Sequence, residues 1–178
     1  MIDTTRLILR DWRDADRAPF TAMSADPEVM RYLAPLQSRA EVDAAFNRYV
    51  ARTADTFHPW AVERRADDAF LGSCGLNRVD HGASPVNGEV EVGWKFRRDA
   101  WGQGFAREAA SAALAYGFAA GLSRIVAFTV PQNVASRGLM ERLGMTRRPD
   151  LDFDHPGLAA TDPLRPHIVY AIDHDAAA

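Results

Sequence analysis

Apolar and charged positions frame a first short strand at Arg6-Leu7-Ile8-Leu9-Arg10, and helical spacing follows over residues 14–33 and 38–54, with Asp14 and Ser38 placed as N-caps. The pattern then changes. Trp60-Ala61-Val62-Glu63, residues 69–76 and residues 89–96 are strand-like runs separated by turn-rich pieces such as Asp80-His81-Gly82-Ala83-Ser84-Pro85, which predicts an antiparallel meander. The run from Glu89 to Phe96 alternates strictly, setting Val90, Val92, Trp94 and Phe96 on one face and Glu89, Glu91, Gly93 and Lys95 on the other. Gly93 in its middle points to a bulge or a close backbone approach.

Beyond that run, residues 105–120 carry Ala110, Leu114 and Phe118 on one helical stripe, with Gly121 to end the helix. Residues 124–130 read as a strand stopped by Pro131, residues 133–143 as a helix closed by Gly144, and residues 167–172 as a last strand. The stretch 149–166 has four prolines and four aspartates and reads as a long surface loop.

Composition narrows the class. A chain of 178 residues with 47% hydrophobic and 25% charged residues suits one domain spanning 1–178, with a flexible tail at 174–178. The net charge of -3, without a basic stripe, argues against a nucleic-acid partner. Neither the charged opening residues nor any later segment has the apolar run of a signal peptide or a membrane span, so no membrane association and a cytoplasmic location are expected. A lone Cys74 excludes an internal disulfide, and the five histidines show no ligand spacing, so no metal is expected.

The chemistry concentrates at Trp101-Gly102-Gln103-Gly104-Phe105-Ala106. Two glycines between a strand and a helix let successive amide N–H groups and the positive helix end converge on one small volume, which suits a diphosphate. No Gly-Lys-Ser/Thr closes the loop as a P-loop requires, and Ala109 interrupts a dinucleotide fingerprint.

Taken in order and spacing, Gly93-Trp94, the stretch from Trp101 to Ala109, the strand ending at Val130, Asn133-Val134-Ala135-Ser136 and Leu143-Gly144-Met145 resemble the core of the GNAT N-acetyltransferases. The branch most similar is that of the ribosomal-protein N-terminal acetyltransferases, which also opens with a phrase like Thr5-Arg6-Leu7-Ile8-Leu9-Arg10. The resemblance implies an α+β fold: a single-domain, mixed but mostly antiparallel sheet of six or seven strands flanked by helices. That sheet would be splayed between the strand of Val92 and the strand of Ile125.

It further implies acetyl-coenzyme A as cosubstrate. The amides of Gly102, Gln103, Gly104, Phe105, Ala106 and Arg107 would hold its pyrophosphate, and the backbone of Val92, Gly93 and Trp94 its pantetheine arm, with Asn133 and Ser136 near the thioester. Trp101 stands where the superfamily's motif usually begins with Gln or Arg. Met140 stands where many members carry a tyrosine that protonates the departing thiolate, which leaves Ser136 either as a proton donor or as a helix-turn residue bonded to backbone.

The acceptor would be a primary amine, a protein N-terminus or a small molecule. An alkyl amine with a pKa of roughly 10 needs a base. Glu91, before Glu89, is the candidate, against a plain role on a solvated sheet face. The acceptor pocket is expected near Phe20, Met30, Tyr32 and Leu33 and beside the loop 149–166, while Trp60 and Phe153 fit core or lid packing better than recognition. A non-catalytic acyl-coenzyme A sensing module is the alternative, and the resemblance also makes a homodimer plausible.

Overall fold

The structure, a computed structural model, describes residues 1–33, 38–52 and 57–174. β1 (Ile2–Asp3), β2 (Leu7–Arg10), β3 (Pro59–Arg64), β4 (Ala69–Arg78) and β5 (Val90–Phe96) pair antiparallel in chain order, as the meander pattern predicts. Between β2 and β3 the chain runs through a 3-10 turn (Asp14–Asp16), α1 (Arg17–Ser24), α2 (Pro27–Met30) and α3 (Arg39–Ala51). After β5 come a 3-10 turn (Arg98–Ala100), α4 (Phe105–Ala119), β6 (Arg124–Thr129), α5 (Val134–Arg142), β7 (Thr146–Arg147), β8 (Phe153–Asp154) and β9 (Pro166–Asp173). The sheet order is β1-β2-β3-β4-β5-β6-β9-β7, with β8 also on β9. Nine strands among the described residues exceed the six or seven expected because β1, β7 and β8 are two residues each, too short to leave a periodic signal.

The single helix expected over residues 14–33 is broken. Asp26 leaves helical geometry, its carboxylate accepts the Glu28 N–H at 2.9 Å, and Pro27 opens α2 as a new helix. Nor is Asp14 the cap: the entering N–H, that of Arg13, donates to Asp16 Oδ2 at 2.8 Å. Ser38 does cap α3, in a reciprocal box with Glu41. Residues 53–54 of the expected second helix and residues 175–178 of the expected tail lie outside the described residues. His174 is tied down, its N–H donating to Ser123 O at 2.8 Å. Within the proline-rich stretch 149–166 lie a 3-10 turn (Pro149–Leu151) and β8.

Helices cover the sheet on both faces. α4 lays Ala109, Ala110 and Ala113 against Leu7, Leu9, Val62, Leu76, Val90 and Val92, and its small side chains bring helix and sheet close. Trp60 belongs to this core. On the opposite face, α1, α2 and α3 bury Phe20, Met23, Val29, Val42 and Phe46 on Ala61 and Phe70, around Trp12, which stacks on Tyr49 at 5.0 Å. A third cluster packs Phe153 with Val126, Val169 and Ala171.

A buried ion network pins the helical insertion to the sheet. Arg10, on β2, makes a two-pronged bond to Asp16 at 2.7 and 2.8 Å and a third to Glu63 of β3 at 2.7 Å, all three residues being at most 5% exposed.

β5 is regular through Gly93, which pairs with Gly75. The bulge expected there lies one strand over, between Val62 and Glu63 against β4. Close approaches lie on β4, at Gly72 and Gly75, where a Cβ would lie 2.2 Å from Lys95 O and 2.3 Å from His58 O.

Candidate active site

β5 and β6 run parallel, yet they pair at one position, Glu91 with Val126, and diverge beyond it. β5 is followed by a glycine turn that throws the chain to one side, and β6 by Pro131, which cannot continue a ladder. The opening lies toward the C-terminal ends of both strands, the ends from which the chain enters α4 and α5.

The hydrogen-bond phase of β5 decides which groups face this opening. Arg97 N–H donates to Leu71 O at 2.9 Å and Val79 N–H to Glu89 O at 2.8 Å. Odd-numbered residues of β5 therefore turn their backbone to β4, and Val92, Trp94 and Phe96 turn theirs toward β6. The Phe96 carbonyl on that side accepts the Trp101 indole N–H at 2.9 Å. Of the three residues expected along a pantetheine arm, Val92 and Trp94 thus aim main-chain groups into the opening. Gly93 does not, since its backbone is turned to Gly75, and its contribution is room: a Cβ there would meet only Glu91 Oε1, at 3.8 Å.

At the mouth, Gly102 and Gly104 take φ of 72° and 80°, the left-handed region that glycine tolerates. The first i to i−4 bond of α4 is Glu108 N–H to Gly104 O, so helix geometry leaves the N–H groups of Phe105, Ala106 and Arg107 pointing outward. The loop is braced from behind. Gln103 Nε2 donates to Asp99 O at 2.7 Å, and Arg6 donates to Gln103 O at 2.9 Å and to Glu108 Oε2 at 2.7 Å while lying 4.6 Å over the Phe105 ring. Glu108, which also accepts from Thr4 Oγ1, is a brace for β1 and β2. These features suit a pyrophosphate held by main-chain donors at a helix N-terminus.

At the N-terminus of α5, Asn133 is 8% exposed and spends both amide atoms on structure: Oδ1 accepts the Ser136 N–H at 3.2 Å and Nδ2 donates to Thr129 Oγ1 at 3.0 Å. It therefore fixes the corner between β6 and α5. Ser136 is half-buried, and its hydroxyl finds no partner among the described residues. Met140 is 1% exposed and belongs to the core.

Glu91 is not on a solvated face. α3 covers it, and with Asn77, Arg78, Asp80 and His81 it lines a cavity of about 280 Å³ together with Arg48, Tyr49 and Arg52. Burial raises its carboxyl to about 7, and a hydrogen bond from Asn77, its partner in the β4–β5 register, opposes that rise. Lys95, two pleats along the same face, is lowered to about 8 by burial, donates to Ser24 Oγ at 3.1 Å and lies 4.5 Å over Phe20. Burial pushes the Cys74 thiol up, which leaves it inert as a nucleophile. Phe20 and Met30, expected beside the acceptor, are core residues; what α3 and its C-cap add to the cavity is Ala45, Arg48, Tyr49 and Arg52. Their i, i+3, i+4, i+7 spacing on one helical face was the sequence signal that could have found them.

Comparison with known proteins agrees with this geometry. Residues 6–146 match the acetyltransferase (GNAT) domain family. The chain is 30% identical over 153 residues, 83% of each chain, to YoaA of Bacillus subtilis (strain 168), an uncharacterized N-acetyltransferase. Its fold resembles RimL, a ribosomal L7/L12 alpha-N-protein acetyltransferase in complex with coenzyme A, with a TM-score of 0.77 at 16% identity over 98% of this chain and 97% of that one. It also resembles spermidine N-acetyltransferase from Vibrio cholerae in complex with CoA and spermine, with a TM-score of 0.72 at 18% identity over 96% of each chain. β8 and β9 lie beyond the family match.

Proposed function

Because the chain belongs to the acetyltransferase (GNAT) family, we propose that it transfers acetyl from acetyl-coenzyme A directly to a primary amine in a ternary complex, with Glu91 as the base. The observation that carries this reading is the opening between β5 and β6, with a left-handed glycine turn at its mouth and a half-buried carboxylate where the strands meet.

In this scheme the amides of residues 102–107 bind the pyrophosphate and the backbone of Val92 and Trp94 orients the pantetheine arm. The amine enters from the α3 side and yields its proton to Glu91, directly or through water. Its lone pair attacks the thioester carbon, forming a C–N bond, and the Trp94 N–H, which faces the opening, stabilises the oxyanion. The C–S bond then breaks, the nitrogen gives up its second proton to solvent, and the thiolate takes a proton from solvent, directly or relayed through Ser136. Excluding the amine's hydration shell and holding both reactants is the larger share of the catalysis.

The test is calorimetric titration with acetyl-coenzyme A, followed by thiol release on adding amine and peptide pools. Binding with amine-dependent release is expected, and Gly102→Ala, which forces an L side chain into a left-handed turn, raises the Kd at least tenfold. No binding would overturn the reading. Binding without release under any amine would favour the sensing module, for which the buried Met140 in place of a tyrosine speaks.

A further inference from the structure

Val42, Ala45, Phe46 and Tyr49 stand at i, i+3, i+4 and i+7 of α3 and form the stripe that packs onto the aromatic cluster over the sheet. Tyr49 is the member of that stripe with a polar end. Its ring lies flat on Trp12, 5.0 Å between centroids and 8° between planes, and Phe20 meets it edge-on at 5.7 Å. Trp12 is itself pinned, because its indole N–H donates to Pro59 O of β3 at 2.7 Å. The phenol ring therefore has one place to be.

What this stack presents is a hydroxyl. Tyr49 lines the same cavity as Glu91, and its hydroxyl makes no hydrogen bond to any described residue. Burial, and after it the charge of Glu91, hold the phenol above its ordinary range against the pull of Arg48 and Arg52, so it stays protonated at working pH. A protonated phenol accepts one hydrogen bond while it donates another. Packing explains the ring, since phenylalanine would stack as well. It does not explain a hydroxyl held without a protein partner beside a carboxyl that has Asn77 as its donor.

Resting on the acetyltransferase reading above, we propose that Tyr49 binds the acceptor amine together with Glu91: its hydroxyl oxygen accepts one amine N–H, and its own O–H donates to the Glu91 carboxyl, directly or through water. The ammonium passes one proton to Glu91, and Tyr49 neither gains nor loses one. The neutral primary amine is left with two N–H bonds and a lone pair. Holding one N–H on the phenol oxygen fixes rotation about the C–N bond and leaves the lone pair for the thioester carbon. Tyr49 stands on α3, on the amine's side of the site, so this role differs from the protonation of the thiolate, whose usual tyrosine is replaced by Met140 on α5.

The experiment compares Tyr49→Phe, which removes the hydroxyl and keeps the stack, with Tyr49→Leu, which removes both. Thiol release with the best amine of the pools gives kcat/KM, calorimetry gives the Kd of acetyl-coenzyme A, and thermal melts report the fold. The expected result for Tyr49→Phe is a kcat/KM for the amine lowered at least about tenfold, as for loss of a hydrogen bond to a reacting group, with Kd and melting temperature at the parent's values. Tyr49→Leu should lose as much activity and also melt lower. In a Glu91→Gln background the Phe substitution should cost far less, because the two groups act on one amine.

An unchanged kcat/KM in Tyr49→Phe overturns the inference and leaves the acetyltransferase reading intact. So does a loss matched by weaker acetyl-coenzyme A binding or by a lower melting temperature, which is what a purely structural tyrosine would give, and so does full additivity with Glu91→Gln. If no amine releases thiol, the hydroxyl is followed directly. The chain has four tyrosines, so with tyrosine isotope-labelled at Cζ the NMR signal that Tyr49→Phe lacks is that of Tyr49. n-Propylamine is titrated into the protein with coenzyme A present, against n-propanol as the neutral control. A shift of that signal with the amine alone, lost in Glu91→Gln, supports this inference although the proposed catalysis has failed, and any other pattern overturns both.

Discussion

A carboxylate that keeps its proton until about pH 7 has opposite effects on activity and on stability. Only the ionised form accepts a proton, so kcat/KM should rise with pH through about 7, and Glu91→Gln should lower kcat at least a hundredfold, within the range for loss of a general base. For stability the sign reverses. Between the ordinary value of 4.5 and about 7 the folded chain holds a proton that the unfolded chain has released, so stability falls as pH rises through this window. Glu91→Gln should therefore unfold at higher denaturant than the parent at pH 8, by on the order of 2 kcal/mol after solvent screening, and the gain should vanish near pH 4. Chemical denaturation at the two pH values checks it. At this scale the strict alternation of residues 89–96 was enough to set Glu89 and Glu91 on one face as candidates. It could not tell a covered face from a wet one, because the cover is α3, more than forty residues away in the chain. Asn133 shows the reverse limit: its place beside the site was legible, but its occupation as a helix cap depends on Thr129 and the turn of the chain at Pro131.

Elements with a strong period or a cap were readable: α3 from its Ser38 cap and helical spacing, α4 from its alanine stripe, and β9 from its apolar run. Those that fail the reading are short or interrupted. α2 is four residues behind an Asp-Pro start, and two-residue strands owe their existence to the neighbour they join. The joint between β2, the 3-10 turn and β3 hides its most consequential residue as well. Arg10 ends a strand like any surface arginine in sequence, yet it is 4% exposed and faces two buried carboxylates. Removing it leaves Asp16 and Glu63 without their main cation, so Arg10→Leu should cost about 3–5 kcal/mol in urea unfolding. Replacing the half-buried Arg64, paired with Asp67 at the surface, should shift the urea midpoint far less. A small effect at Arg10 would show that the network is dispensable.

For the whole molecule, topology was the most legible level: an antiparallel meander, a glycine turn, a helix and a parallel partner strand are written in order along the chain. What order alone does not express is how far β5 and β6 diverge, which follows from helices packing on both faces while one bridge at Glu91 and Val126 joins the two halves of the sheet. Acetyl-coenzyme A that binds across this opening should raise the unfolding free energy by about 2.7 kcal/mol at a hundredfold excess over Kd. Thermal melts with and without the ligand measure it, and a shift no larger with acetyl-coenzyme A than with free acetate would count against binding there.

A sheet parted in its middle has two edges that most proteins keep at the rim. The amide protons of Trp94 and its neighbours on that inner edge lack the ladder that protects those of β3 and β4, so they should exchange with solvent early, although they lie near the centre of the fold. A ligand lying along the edge acts as a substitute strand and slows that exchange. The protein would then report its saturation through the stiffness of its own centre, and cells with little acetyl-coenzyme A would hold a looser and more readily degraded form of the same chain.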